Sequence, residues 1–420
     1  ILFLRPTQSL TVFLQQLGRG LRHAPNKDCL TVLDFIGQAN EKYNFNDKFM
    51  ALLQRTKRKN LKEEVNTGFT SLPRGCYIEL EKKAQAYILK NIQKAIGANR
   101  VYKLIVDFYS SRPGVTPSLT SFLNESGLTP NELYQKNCSF ARLCVSANLI
   151  PEFQDQEQKL NLEENIFSKA LLWIARIDSR RWIRFLLDKL LPNLSLAYMT
   201  QLSELELRYL KMFWVTIYKN NPPSNLSQIF TDLEILNQNP VLLAEIKELL
   251  TWNYHHIKIV DHEIPEIENC PLDIYCTYSR DQLLVGLGND KPRDCREGVK
   301  YLENINTDVL LVTLNKSDKD YTPTTLYEDY SINEQLFHWQ SQSTTSEASK
   351  TGMRYIQGTS KILLFVRETK NVNNVAESYS LLGLCDYVSH TGSKPMSITW
   401  KMRRNIPAKF LKRTNQLLIG

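Results

Sequence analysis

The segment 15–22, Gln-Gln-Leu-Gly-Arg-Gly-Leu-Arg, constrains this chain more than any other. It sets Gln15, Gly18, Arg19 and Arg22 in the pattern Q-x-x-G-R-x-x-R. Two arginines three residues apart lie on one face of a helix, and paired guanidinium groups suit the oxygens of a transferring phosphoryl group. The spacing therefore predicts the arginine fingers of an ATP site. A basic, solvent-exposed helix is the alternative.

The residues around this segment predict a strand, a helix and a second strand at the edge of a larger parallel sheet. Residues 1–4 are apolar, residues 8–22 have helical periodicity, and residues 29–34 are rich in β-forming types. The sequence contains no G-x-x-x-x-G-K-[ST] phosphate loop and no D-E-x-H acidic box. We therefore expect half of an ATP site, with ATP and Mg²⁺ bound only in an intact protein, and no enzyme activity from this segment alone.

Length and charge favour a multidomain protein that contacts a polyanion. A length of 420 residues favours two to four domains. The sequence has no apolar run of transmembrane length and no signal-peptide pattern, and it begins without Met. We therefore expect the C-terminal part of a longer cytoplasmic protein that does not bind a membrane.

The net charge of +8 is concentrated at the ends, because residues 387–420 hold seven basic residues and no acidic one. A nucleic acid is the simplest partner, and a solvated basic surface is the alternative.

The eight cysteines are scattered without a C-x-x-C pair, so we expect buried free thiols rather than disulfides or a zinc ribbon. One group of residue types could bind a metal, namely His255, His256, His262, Cys270 and Cys276. Its spacing matches no zinc signature. The prediction is therefore that the chain has no metal site.

The fold class predicted along the chain is α+β and multidomain. Residues 1–64 would be the end of an α/β domain, residues 65–262 a helical coupling domain, and residues 270–420 a mixed α+β domain forming a curved sheet or open barrel. In the middle domain, Asn239 is expected as N-cap and Pro240 as the first helical residue, and three tryptophans are expected in the core, Trp173, Trp182 and Trp214. The acidic, proline-containing segment 261–271 is expected as a linker.

In the last domain, periodicity predicts strands at 309–314, 361–367, 381–388 and 396–401, and helices at 279–287 and 324–338. Aromatic, amide and acidic residues alternate over 321–342, as in a pocket that stacks a planar ring and reads its edge. The stacking candidates are Tyr327, Tyr330 and Trp339, and the edge-reading candidates are Asp329, His338, Gln340 and Gln342. A protein-interaction surface has a similar composition, and the residue types alone favour neither.

Two sets of motifs resemble known families. The segment 15–22, followed by Leu33-Asp-Phe-Ile-Gly37, resembles motif VI and the end of the second RecA-like domain of superfamily 2 helicases. The span 276–413 resembles the C-terminal domain of SauUSI-like, modification-dependent (type IV) restriction enzymes. The motifs are Tyr278-Ser-Arg280, Arg296-Glu-Gly-Val299, Tyr327-Glu-Asp-Tyr330, Phe337-His-Trp-Gln-Ser-Gln342, Leu364-Phe-Val-Arg-Glu368 and Tyr387-Val-Ser-His-Thr-Gly-Ser-Lys-Pro-Met396.

The resemblance implies an ATP-dependent endonuclease that recognises double-stranded DNA containing 5-methylcytosine or 5-hydroxymethylcytosine. A phospholipase D-type nuclease and the helicase motor would lie upstream, with homodimerisation through the nuclease. Residues 270–420 would be the target-recognition domain, similar to SRA or PUA-like folds, with Trp339 or Tyr330 as the wall beside the methyl group. The phosphate-binding candidates are Lys401, Arg403, Arg404, Lys409, Lys412 and Arg413. The alternative is a repair or remodelling helicase whose last domain binds unmodified nucleic acid or a protein.

Overall fold

The computed structural model describes residues 2–3, 10–20, 30–34, 49, 65, 78–81, 98–126, 128–153, 161–295, 298–315, 329–372 and 375–411. The chain divides into two compact units, Ile1–Glu152 and Phe153–Gly420. Thirteen α-helices and a mixed β-sheet occur among the described residues, so the fold is α+β. The division into three domains at 1–64, 65–262 and 270–420 stays a prediction.

The first unit begins with the predicted strand, helix and parallel strand. Strand β1 (Leu2–Phe3) pairs in parallel with β2 (Leu33–Asp34), and helix α1 (Leu10–Gly20) lies between them in the chain. The larger parallel sheet expected around them lies outside the described residues. Between residues 98 and 153 the structure describes four further α-helices, α2 (Ala98–Ser110), α3 (Leu119–Ser126), α4 (Pro130–Leu133) and α5 (Phe140–Ser146).

The second unit begins with a helical layer. It comprises α6 (Asn161–Ile174), α7 (Arg180–Arg184), which continues as a π-helix over Phe185–Leu190, α8 (Leu196–Met199), α9 (Glu204–Tyr218), α10 (Leu226–Gln238) and α11 (Pro240–His256). The predicted cap of α11 is confirmed, because the Asn239 side chain accepts the Leu242 N–H and Pro240 is the first helical residue. Trp182 and Trp214 are buried as expected, whereas Trp173 is only half-buried. Within the described residues, no helix has the length and apolar character that crossing a membrane requires.

In the described part of the second unit, the main sheet has eight strands. They are β3 (Thr277–Tyr278), β4 (Val299–Leu302), β5 (Thr307–Thr313), β6 (Tyr330–Ser331), β7 (Leu336–Gln340), β8 (Lys361–Arg367), β11 (Tyr379–Thr391) and β12 (Ser397–Met402). Their order is β4-β5-β8-β11-β12-β7-β6, with β3 also paired to β11. Only β5 and β8 run parallel among these pairs. The strands β9 (Asn371–Val372) and β10 (Val375–Ala376) form a separate hairpin.

The four predicted strands and the helix at 279–287, observed as α12 (Arg280–Gly286), are confirmed. The predicted helix at 324–338 is wrong. Residues 324–328 lie outside the described residues, and residues 336–340 form β7, because Phe337 and Trp339 are buried while His338 and Gln340 are half-exposed. That alternation has the period of a strand. A helix that the sequence did not predict, α13 (Lys350–Gln357), is capped by the Ser349 hydroxyl.

The coverage of the sheet changes partway along β11. Residues 379–385 are all buried, whereas exposure begins at residue 386. Near Gly383, which has φ +100°, the strand register shifts and the Ile274 side chain lies 3.2 Å from the place that a Cβ would occupy. The second face of the sheet is therefore covered in the first half of β11. The second half of β11 and the strands β12 and β7 bury one face and leave the other polar.

The helical layer is joined to the sheet by buried polar contacts. The Asp273 carboxylate accepts hydrogen bonds from the Ser179 hydroxyl (2.6 Å) and from Nε of Arg181 (2.8 Å), and it is fully buried. The Asp178 carboxyl group bonds with the backbone N–H and the hydroxyl of Thr277, each at 2.8 Å. Burial raises the pKa of Asp178 to about 7 and also raises the pKa of Asp273.

The segment 261–271, expected as a linker, packs against this joint. Ile264 and Ile267 are buried, and the Glu263 carboxylate lies 2.9 Å from the Arg181 guanidinium. Two acidic residues of the segment thus pair with arginines of the helical layer, Asp261 with Arg180 (3.8 Å) and Glu263 with Arg181, although Glu263 stays exposed.

The substitution Asp178→Asn should reduce the pH dependence of stability. The native carboxyl holds its proton more tightly than the unfolded one, so the free energy of unfolding falls as pH rises from about 4 to about 7, by at most about 1.4 kcal/mol per pH unit. An amide cannot titrate and can donate to the Thr277 hydroxyl. Melting temperatures of the 420-residue chain between pH 4 and pH 8 should show a flatter profile for the variant. Asp188→Asn, at an exposed carboxyl, is the matched control, and equal profiles for wild type and Asp178→Asn would contradict the assignment.

Candidate nucleic-acid interface

One face of the sheet, opposite the core, is polar and half-exposed, and we call it the outer face. In β12 the buried Ile398, Trp400 and Met402 alternate with the residues of this face. Cross-strand pairing brings His338 opposite Thr399, Gln340 opposite Ser397, and Lys401 opposite both Leu336 and Asp386. The outer face comprises Tyr330, Leu336, His338, Gln340, Asp386, Ser389, Thr391, Ser397, Thr399 and Lys401.

An aromatic pair lies at the β6–β7 end of the outer face. The rings of Tyr330 and His338 stack with centroids 4.8 Å apart and planes 17° apart, because the two residues are direct cross-strand partners. The Gln340 N–H donates to the Asp329 carboxylate (3.0 Å), and its side-chain amide donates to the Ser397 hydroxyl (3.3 Å). Four of the seven predicted base-contacting residues are thus brought together. Gln342 is half-buried in the loop after β7, and Tyr327 lies outside the described residues.

Trp339 points to the opposite face, so the expected role as a wall beside a bound base needs correction. Only 4% of this residue is exposed, and its ring contacts Tyr355 (5.8 Å between centroids) and Trp400 (6.2 Å) in the core. Successive strand residues point to opposite faces, so His338 and Gln340 can both lie on the outer face only if Trp339 does not. Tyr330 is the other predicted wall residue, and it lies on the outer face.

The predicted phosphate-binding residues occupy different environments. Lys401 and Arg404 are exposed. The Arg403 guanidinium is already held by two carboxylates, Asp386 at 2.8 Å and Glu266 at 3.1 Å, so its charge is neutralised within the protein. The Lys409 ammonium lies 3.2 Å from the Ser380 hydroxyl and 4.6 Å from the centroid of Phe410. Lys412 and Arg413 lie outside the described residues.

Three of the four predicted ATP-site residues, Gln15, Gly18 and Arg19, lie on α1 in the first unit. Gln15 and Arg19 are exposed and one helical turn apart, so both side chains lie on one face of the helix. Gly18 lies in the same helix, and Arg22 lies outside the described residues. Arg19 is exposed on the helix that follows β1, so its guanidinium is accessible to a nucleotide bound by another domain. The sequence has no loop that would hold that nucleotide.

The residues that lie close enough to share a metal differ from the set considered in the sequence. Ligand atoms of Asp261, Asp273 and Cys276 lie within 4.8 Å of one another, while His255 and His256 are exposed. Both Asp273 oxygens accept hydrogen bonds, one of them from an arginine. Burial also raises the pKa of the Cys276 thiol, which opposes thiolate formation. We therefore assign these residues to the joint between helices and sheet.

The hydroxyl residues of the outer face, Ser389, Ser397 and Thr399, were not predicted from the sequence as site residues. The alternation Ser-Ile-Thr-Trp-Lys-Met at 397–402 was the available signal, since it predicts a strand with one apolar and one polar face. The pairing of Arg403 with Asp386 had no signal in the local sequence, because it depends on the antiparallel register of β11 and β12.

Comparison with protein families gives a match to the last part of the chain. Residues 272–413 match the family model described as Domain of unknown function (DUF3427), a domain found in helicase-associated proteins. The matched segment contains the entire outer face and the strands that support it. The search of curated proteins finds no match.

Proposed function

We propose that residues 272–413 bind duplex DNA through the outer face and select DNA containing 5-methylcytosine or 5-hydroxymethylcytosine. The parent protein would be an ATP-dependent restriction endonuclease. The observation that supports this best is the stacked pair of Tyr330 and His338, with Gln340, Thr399 and Lys401 on the same face. The match to a domain found in helicase-associated proteins agrees with a role next to a motor.

The chemistry of the outer face suits a nucleobase and its phosphate. A base that leaves the helical stack needs a π-surface, and stacking on an aromatic side chain contributes about 1–3 kcal/mol. The amide of Gln340 and the hydroxyl of Thr399 offer polar contacts to a base edge. The Lys401 ammonium suits a phosphate. Two carboxylates lie near these residues: Asp329 accepts the Gln340 N–H, and Asp386 pairs with Arg403, which also contacts Glu266.

Selection of a 5-methyl group requires an apolar surface beside cytosine C5. On the outer face this surface is provided by the Tyr330 ring and by the half-buried Leu336. Leu336 lies two residues before His338 on β7, so both are on the same face of the strand. A methyl-sized difference contributes about 1–3 kcal/mol, or a preference of about 10-fold to 200-fold. Tyr330 therefore takes the role that was expected of either Trp339 or Tyr330.

The double substitution Tyr330→Ala with His338→Ala should remove most of the preference for modified DNA. Loss of one stacked base should weaken binding of the methylated duplex by about 5-fold to 150-fold. The unmodified duplex, held mainly by phosphate contacts, should lose much less. Fluorescence anisotropy of the 420-residue chain with matched methylated, hydroxymethylated and unmodified duplexes measures both effects.

Two variants serve as controls. Arg404→Gln should weaken all duplexes alike, because a phosphate contact has no sequence information. Lys350→Gln, on the helix that packs against the core side of the sheet, should change nothing. Equal affinity of the wild-type chain for all three duplexes would contradict the proposed selectivity. It would favour the alternative, in which the last domain binds unmodified nucleic acid.

We also propose that Arg19 and Arg22 complete an ATP site formed with an upstream motor domain. In a polypeptide that includes that motor, Arg19→Ala and Arg22→Ala should each lower ATP turnover by about 10³-fold, the scale of an arginine finger. DNA affinity should stay unchanged. Undiminished turnover in a phosphate-release assay would reject the assignment.

A further inference from the structure

A short bend follows β12 and presents one cation to solvent. It comprises residues 403–406, and we call it the Arg404 bend. Both of its ends are fixed, because the Arg403 N–H donates to the Leu384 carbonyl (3.0 Å) and Ile406 is buried. Arg404 is exposed between these ends. Within the described part of the chain, its guanidinium forms no hydrogen bond or ion pair, so its charge is accessible to a ligand.

An aromatic residue from the segment before β3 reaches this bend. The Tyr275 hydroxyl donates to the carbonyl of Asn405 (2.8 Å), the residue directly after Arg404. The Tyr275 N–H donates to the Leu381 carbonyl of β11 (2.7 Å), which fixes Tyr275 to the sheet. A second contact reaches the same asparagine, because the Gln335 side-chain amide donates to its side-chain oxygen (3.3 Å). Asn405 is therefore held by two side chains from different parts of the domain.

The backbone of Tyr275 has a conformation that is unusual for a bulky residue. Its φ is +74°, in the left-handed region that glycine adopts without steric strain and large aromatic residues adopt rarely. Interactions of the side chain must offset this strain. They are the hydroxyl bond to Asn405 and an edge-on contact with the His262 ring, with centroids 6.2 Å apart. Strained residues of this kind concentrate at functional sites.

The Arg404 bend adjoins the outer face. Its first residue, Arg403, pairs with Asp386 of that face (2.8 Å). Partial burial raises the pKa of the Tyr275 phenol, and the positive charge of Arg404 opposes this shift, so the guanidinium lies near the phenol. A cation in this place can contact the phosphate backbone of a duplex that lies on the outer face.

We propose that Tyr275 is a positioning residue for DNA binding: with Gln335 it fixes Asn405 and thereby holds Arg404 where a phosphate binds. Fixing the bend before binding reduces the entropy lost when the arginine meets its ligand. The inference rests on the proposed function, in which Arg404 contacts phosphate, and adds the residues that make this contact effective.

A double-mutant cycle on the 420-residue chain tests this role. Tyr275→Phe keeps the ring and removes only the hydroxyl, so it should weaken methylated and unmodified duplexes alike by about 2-fold to 12-fold, the net contribution of one hydrogen bond. Arg404→Gln should reduce the slope of log K against log salt by about one. The double variant should bind no more weakly than Arg404→Gln alone, because Tyr275 acts through Arg404. Fluorescence anisotropy at several salt concentrations measures all three.

Two further variants accompany the cycle. Tyr301→Phe is the matched control, since it removes a hydroxyl that donates to the Asn306 side chain (2.9 Å) on the far side of the sheet order, and it should leave DNA affinity unchanged. Gln335→Ala removes the other contact to Asn405 from an exposed position. It should behave in the cycle as Tyr275→Phe does. Melting temperatures show whether each variant is folded at the assay temperature.

The outcomes separate this inference from the proposed function. Unchanged binding by Tyr275→Phe, or a full additive loss in the double variant, would overturn the inference alone. If Tyr275→Phe is unfolded at the assay temperature, the same two results for Gln335→Ala decide. Non-additive losses in a chain that binds methylated and unmodified duplexes equally would support this inference while the selectivity of the outer face fails. An unchanged salt slope for Arg404→Gln, or no binding of any duplex, would overturn both the inference and the phosphate contact on which it rests.

Discussion

The pairing of the long strand Tyr379–Thr391 with strands on both sides is the constraint on which the second unit depends. Its first half lies between β8 and β3 and is covered on both faces, so Leu381, Leu382 and Leu384 are all buried. Its second half pairs with β12 and must bury residues on one face only. The register shift near Gly383, where Ile274 approaches the backbone, lies between these two environments. The outer face begins beyond this point, where the residues of β11 become exposed.

A second consequence concerns the core beneath the outer face. Trp339, Trp400 and Tyr355 pack with ring centroids 5.8 to 6.2 Å apart and support β7 and β12 from below. A rigid support keeps Tyr330 and His338 in register, so a ligand would meet a stack that is already formed. Preorganisation of this kind reduces the entropy lost on binding. The large aromatic residues thus contribute to the candidate site by position rather than by contact.

Much of the fold could be predicted from local patterns, and the exceptions have physical causes. The Asn239–Pro240 helix start and the strand at 361–367 depend on capping and on a continuous apolar run, which are local signals. Residues 336–338 were predicted as the end of a helix at 324–338 because so few residues fit either period, and the partner strands decide between them. The segment 261–271 has the composition of a linker, yet Asp261 and Glu263 form ion pairs with Arg180 and Arg181, about eighty residues earlier in the chain. A local sequence pattern cannot predict a contact between residues so far apart in the chain.

The candidate site shows the same limit. The residue types Tyr, His, Gln and Trp indicated a ring-binding segment, but only the alternation of β7 shows which of them share a face. For Arg403 the sequence indicated a cation and could not indicate that Asp386 and Glu266 neutralise it. Conversely, Trp173 was expected in the core, and its place between two cations became visible only from the ends of α6 and α9.

Hydroxyl-radical footprinting of the 420-residue chain, with and without a saturating methylated duplex, tests the central claim most directly. Oxidation of Tyr330 and His338 should fall when DNA binds, because both side chains lie on the outer face. Met353, which is 44% exposed on the helix packed against the other side of the sheet, should be oxidised equally in both samples. Unchanged oxidation of Tyr330 and His338 in a sample where DNA is bound would contradict the account.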